Sequence, residues 1–279
     1  MSAGTKGDVT DRLGVRYLAG PAEAEVTFTF VTLLARQDRY ERMLTSAEAK
    51  GFHAGNSQFL AIDNRRGNNF DGYGAIRRAL PEAKGRYIVF THDDVEFVAD
   101  GADRLASCLA ELTRLDPLWL LAGNAGGVTY GKNARHLRDP HDVDERVTAP
   151  TLVESLDENF FIMRRDHPVV NSYDLTGFHF YASDLCRLAE IMGGRSYVIP
   201  FLLEHHSPGV IDATFEPSRR RFAQKYRRYF PGRKLQCTVA QFDFGLGGLR
   251  EGWRETPKSR WDFLDDHVYA SPDSKGVGQ

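Results

Sequence analysis

Arg86-Tyr87-Ile88-Val89-Phe90-Thr91-His92-Asp93-Asp94-Val95-Glu96 is the stretch on which the reading of this chain turns. Tyr87 to Phe90 is a short apolar, β-rich run of the kind buried inside a sheet. It passes directly into His92, Asp93 and Asp94, with no turn residue in between. In open α/β sheets, ligands bind just beyond the carboxyl ends of the strands. Two adjacent carboxylates beside an imidazole at such a place can hold a divalent cation through hard oxygen ligands. The competing reading is a polar turn leaving a strand.

Outward from this stretch, the chain alternates strands with helical segments. Residues 25–34 are β-branched and aromatic and predict a strand. Residues 38–50 carry Tyr40, Met43, Leu44 and Ala47 at helical spacing and stop at Gly51. Residues 58–62 form a second strand ending in Asp63-Asn64. Residues 71–84 predict a helix whose last turn is disturbed by Pro81. After the opening stretch come a helix over 101–115 and a buried strand over 119–123. This alternation predicts βαβ units and a mainly parallel sheet, with right-handed crossovers that put helices on both faces. The polar strand exits at Arg36 and Asp63-Asn64 should then share one edge with Asp93-Asp94.

From 126 to 150 the pattern fails, and the Gly-, Arg-, His- and Asp-rich sequence reads as a long loop. Asp157-Glu158-Asn159 precedes a strand at 160–163. Ser183 is the expected N-cap of a helix over 184–192 that Gly193-Gly194 ends. A strand at 197–203 delivers Glu204-His205-His206-Ser207. Neighbours on a strand face opposite ways, so one of His205 and His206 faces the site, and His205 is favoured. Residues 218–234 are strongly basic with interleaved aromatics. They read either as a solvated helix face or as a helix offering Arg221 and Lys225 to phosphate oxygens.

A content of 42% hydrophobic and 27% charged residues is ordinary for a globular protein, and a net charge of −2 gives no reason to expect nucleic acid as partner. Cys108, Cys186 and Cys237 lack metal-type spacing and read as reduced core thiols of a cytoplasmic protein. No apolar run is long enough to span a membrane, and residues 1–11 do not read as a secretory signal.

The order of these pieces resembles the GT-A glycosyltransferases of the family 2 type, over roughly residues 25–230. The pieces are the strand-helix-strand opening, Asp63-Asn64, His92-Asp93-Asp94-Val95, Asp184-Leu185-Cys186 and His205-His206-Ser207. The resemblance implies an α/β fold with a mainly parallel central sheet and a C-terminal helical or irregular extension. It implies metal-dependent, inverting transfer of a sugar from a nucleotide-diphosphate sugar to a carbohydrate or other hydroxyl acceptor. Asp94 with His205 or His206 would hold Mn²⁺ or Mg²⁺. Arg36, Asp63, Asn64 and Asp93 would meet the nucleotide, together with Arg221 and Lys225. Asp184 is the expected general base, with His179 and Asp157 as reserves. The sequence departs from the family where His92 replaces the first acid, and where Tyr181 and Ala182 replace an acid before Asp184.

Two other readings share these features. One is a nucleotidyltransferase, disfavoured because Val31 to Arg36 holds no glycine-rich phosphate loop. The other is a non-catalytic sugar- or nucleotide-binding module with a degenerate acid motif. The expected organisation is a flexible segment over 1–24, a glycosyltransferase domain over 25–235 and an extension with a polar tail over 236–279.

Overall fold

A computed structural model describes residues 9–18, 20, 23–129, 131–140, 146–207, 209 and 211–245. In chain order the elements are α1 (Val9–Arg12), β1 (Val26–Leu34), α2 (Gln37–Ala49), β2 (Ser57–Asp63), α3 (Gly72–Ala79), β3 (Gly85–Thr91), β4 (Val95–Glu96) and α4 (Ala102–Leu115). Then come β5 (Trp119–Gly123), β6 (Ala125–Thr129), β7 (Lys132–Arg135), β8 (Thr151–Val153), β9 (Ser155–Leu156) and β10 (Phe160–Arg164). The remainder is α5 (Tyr181–Ile191), β11 (Arg195–Val198), β12 (Glu204–His205), α6 (Phe215–Tyr226), β13 (Lys234–Gln236) and β14 (Gln241–Asp243).

The central sheet has seven strands in the order β2-β1-β3-β10-β5-β11-β8. Five run one way, while β10 and β8 run against them. This is the mainly parallel α/β architecture expected from the alternation of strands and helices. Its strands are near-continuous apolar runs because both faces are covered. Met43 and Ala47 of α2 and Leu105, Cys108 and Leu109 of α4 pack on one face with Phe28, Phe30 and Val89. Ile76 of α3, Leu185 of α5 and Phe222 of α6 pack on the other with Val31, Ile88 and Phe161.

Several expected boundaries change. Pro81 lies in a separate 3-10 turn, Leu80–Glu82, so α3 stops at Ala79. The expected loop at 126–150 instead opens with β6 and β7, whose hairpin joins β9 in a small antiparallel sheet. A Cβ on Gly127 would lie 2.0 Å from the Gln236 carbonyl oxygen. Glycine there allows a close approach of backbones that sequence alone reads as flexibility. The expected strand at 197–203 ends at Val198, and β12 pairs with β4 immediately after the acids. The boundary expected between 235 and 236 falls inside the β13–β14 hairpin, whose Leu235, Phe242 and Phe244 belong to the core. The polar tail and residues 1–8, 19, 21 and 22 of the N-terminal segment lie outside the described residues. The three cysteines are buried and free. Among the described residues, no helix is long and apolar enough to cross a membrane.

Candidate functional site

The carboxyl end of β3 carries His92, Asp93 and Asp94, and β12 lies against β4 so that His205 reaches the same point. Asp94 Oδ1 is 3.4 Å from His205 Nε2 and 3.9 Å from His92 Nδ1, and the two ring nitrogens are 3.4 Å apart. Bonds of about 2.1 Å to one ion place neighbouring donors roughly 3.0–3.4 Å apart. The three donors therefore fit a single divalent cation with little movement. Two imidazoles with one carboxylate make a mixed nitrogen and oxygen donor set for a divalent cation.

The surroundings hold Asp94 ionised and His92 neutral. The His205 ring, despite its burial, is raised by the bond to and charge of Asp94, and must release its proton to ligate. Burial pushes the Asp94 carboxyl up, but the bond from His205 and the charges of His92, His205 and Arg39 outweigh burial and hold it at about 2. Burial and the neighbouring His205 lower the His92 ring, which favours its neutral, ligating form. On the far side of that ring, Nε2 lies 3.4 Å from the Tyr181 hydroxyl. The Tyr181 ring needs the space over Gly72, where a Cβ would come within 2.3 Å of it. Such outer contacts fix the orientation of a ligating ring.

At the trio opens a cavity of about 480 Å³, lined among others by Leu33, Ala35, Asn68, Phe178, His179 and Asp212. A larger cavity of about 760 Å³ lies at the amino ends of β1 and β3, lined by Glu25, Arg86 and Arg114. Among the described residues it has no cluster of metal donors, so the chemistry belongs to the smaller one.

The wall of that smaller cavity includes Asp157, His179 and His205. Asp157 accepts from Asn159 at 3.0 and 2.7 Å and from the Thr238 hydroxyl at 2.6 Å, so both its oxygens are engaged. His179 Nε2 lies 3.3 Å from Asp212 Oδ1. Burial pushes the Asp212 carboxyl up, yet bonds from Thr214 and His179 prevail and hold it below the usual range. Phe180, immediately after His179, is the only described non-glycine residue with positive φ, at 65°. This costly conformation starts α5 and sets the direction of the His179 turn.

Other expected site residues lie elsewhere. Asp184 is fully buried. Its carboxylate accepts from the Ser172 N–H at 2.9 Å, the Ser172 hydroxyl at 2.6 Å, Asn171 Nδ2 at 3.1 Å and the Tyr226 hydroxyl at 2.5 Å. It does not line the cavity. The cause is that α5 begins at Tyr181 rather than at Asp184, so Ser183 and Asp184 are interior residues instead of caps. His206 turns away from Asp94 to Glu96, at 3.1 Å. Arg221 is exposed on α6, and Lys225 pairs with Asp174. Neither lines the cavity.

Asp93 Oδ2 accepts from the N–H groups of Ala35 and Arg36 at 2.9 and 2.8 Å, tying β3 to the exit of β1. The Arg36 guanidinium pairs with Asp38, and Asp63 pairs with Arg65 at 2.8 Å. Asn64 braces its own loop through Phe70. These four stand along the expected edge but outside the cavity wall. His92, Tyr181 and Asp212 were missed; His92 was legible as a donor, whereas the other two become significant only through folding.

No family model matches the chain. It is 44% identical over 246 residues to "ATP synthase subunits region ORF 6" of Fuscovulum blasticum, covering 86% of this chain and 97% of that one. Among solved structures, GalNAc-T7 with UDP, GalNAc and Mn²⁺ superimposes at a TM-score of 0.47 with 12% identity, over 67% of this chain and 45% of that chain. The chain thus spans less than half of that structure. The mannosyltransferase PcManGT of Pyrobaculum calidifontis, with GDP-Man and Mn²⁺, gives 0.41 and 14% over 79% and 68%. S. aureus TarS with UDP-GlcNAc gives 0.45 and 11% over 72% and 66%.

Proposed function

We propose that this chain, which belongs to the family of ATP synthase subunits region ORF 6 of Fuscovulum blasticum, is a metal-dependent glycosyltransferase acting on a nucleotide-diphosphate sugar. One observation carries this reading. The donor trio His92, Asp94 and His205 stands where the carboxyl end of β3 meets β12, at a cavity whose wall also holds a histidine–aspartate pair.

His92, Asp94 and His205 would hold the cation, Mn²⁺ in preference to Mg²⁺. Held by these residues, it would supply positive charge against the negative charge developing on the departing diphosphate. His179 then serves as general base. Its Nε2–H donates to Asp212, which leaves Nδ1 free to accept the proton of the acceptor hydroxyl and lets the Asp212 carboxylate stabilise the charged ring. Asp157, held by Asn159 and Thr238, keeps a fixed negative charge that favours the protonated His205 ring, so His205 would release that proton on ligating the cation. Tyr181 orients His92.

Calorimetry with UDP and GDP, with Mn²⁺ or with EDTA, tests the reading. Binding of one of the two nucleotides should require Mn²⁺, be weaker with Mg²⁺, and lose its metal dependence in Asp94→Ala. His179→Gln should still bind nucleotide while sugar transfer falls by roughly 10²–10⁴. Equal affinity in EDTA and Mn²⁺ would sink the proposal.

A further inference from the structure

The cavity is rich in acids. Asp139, Asp157, Glu158 and Asp212 line it, and Asp94 lies beside it. A divalent ion bound to Asp94 offsets only part of the charge that a diphosphate would bring. A second cation is therefore needed. The basic helix α6 does not supply it, since none of its cationic side chains lines the cavity. Arg39 is engaged with Asp94 itself.

Arg135 is the only permanently cationic side chain in the cavity wall among the described residues. It makes no ion pair with any described residue. Its position follows from strand geometry. Beyond the end of β7 the chain stays extended, and alternate residues face opposite ways. Arg135, Leu137 and Asp139 line the cavity. His136 and Arg138 turn away, to the Val147 carbonyl at 2.7 Å and to Glu204 at 3.4 Å.

The segment is clamped along its length. The His136 N–H donates to the Asn124 carbonyl at 2.6 Å and the Arg138 N–H to that of Leu203 at 2.9 Å. The Arg138 carbonyl in turn accepts from the His205 N–H at 2.8 Å. The backbone carrying Arg135 is thereby joined to the strand that carries a metal donor.

We propose that Arg135 is the diphosphate receptor of this site, gripping the phosphate oxygens opposite the cation. The inference rests on the glycosyltransferase reading for its ligand. A planar guanidinium with several fixed donors suits adjacent phosphate oxygens, and an unpaired one sacrifices no existing ion pair on binding.

The test is calorimetry in Mn²⁺ with three probes, inorganic pyrophosphate, UDP and GDP, on the full chain and on Arg135→Gln, Arg135→Lys and Arg138→Gln. Arg135→Gln should weaken pyrophosphate by roughly 10- to 100-fold, the worth of a charged hydrogen bond. Arg135→Lys should fall between, because it keeps the charge and loses the fork. Arg138→Gln should match wild type. Unchanged pyrophosphate affinity in Arg135→Gln, or an equal loss in Arg138→Gln, overturns the proposal. Pyrophosphate binding that depends on Arg135 while UDP and GDP fail to bind would retain Arg135 and remove the sugar-nucleotide reading. Failure of all these probes overturns both. Circular dichroism melts of each variant identify any loss that is merely unfolding.

Discussion

Glu158 lines the cavity with one carboxylate oxygen, Oε1, buried and without a hydrogen-bond partner. Burial, and then the charge of Asp157, push its carboxyl up to about 8, while the Tyr181 hydroxyl on α5 is raised in turn by burial and by Glu158. The sign follows from proton counting. Below the ordinary value of 4.5 both folded and unfolded chains hold the proton. Between that value and about 8 the unfolded chain releases it and the folded chain keeps it, so this group makes stability fall as pH rises. Above about 8 its contribution levels off. Melting curves taken across this window should slope downward in wild type and lose that component in Glu158→Gln. Parallel curves for the two proteins would contradict the assignment. The sequence made such a group legible only as one acid of a polar trio. Its neighbours at the start of α5 are brought in by the fold.

At the scale of elements, Asp184 shows how a motif can be seen while its surroundings stay hidden. The residue begins a helix only if Ser183 is the cap. The left-handed turn at Phe180 starts α5 three residues earlier and rotates Asp184 into the core. There it ties α5 to α6 through Tyr226 and to the incoming chain through Asn171 and Ser172. Asp184→Asn and Tyr226→Phe should each destabilise by about 1–3 kcal/mol, as expected when a buried partner is left unpaired. Because both act on one network, the double variant should cost less than the sum, and urea unfolding of the four proteins measures the coupling. Strict additivity would mean that the two elements are held together elsewhere. The long periodic helices α2 and α4 were legible because their apolar spacing is decided locally. The β6–β7 hairpin was not, since Gly126 and Gly127 are selected by the backbones that press on them, Ser155 and Gln236.

For the molecule as a whole, alternating strands and helices were enough to anticipate a mainly parallel sheet with two covered faces and acids along one edge. Strand order was beyond their reach, because periodicity carries no information about which strand lies beside which. The place of β10 is the main case. It inserts between β3 and β5 and runs against both, although it follows them in the chain. This arrangement has a consequence for synthesis on the ribosome. When the nascent chain has emerged as far as residue 150, β1, β2 and β3 can pair, but the Tyr87 to Thr91 edge of β3 still lacks the strand that will cover it. An apolar, unpaired edge of this kind recruits other chains. A fragment ending at residue 150 should therefore self-associate at concentrations where the full chain stays dispersed, as light scattering can show. If that fragment were monomeric and resistant to protease, the late arrival of the central strand would impose no hazard on the growing polypeptide.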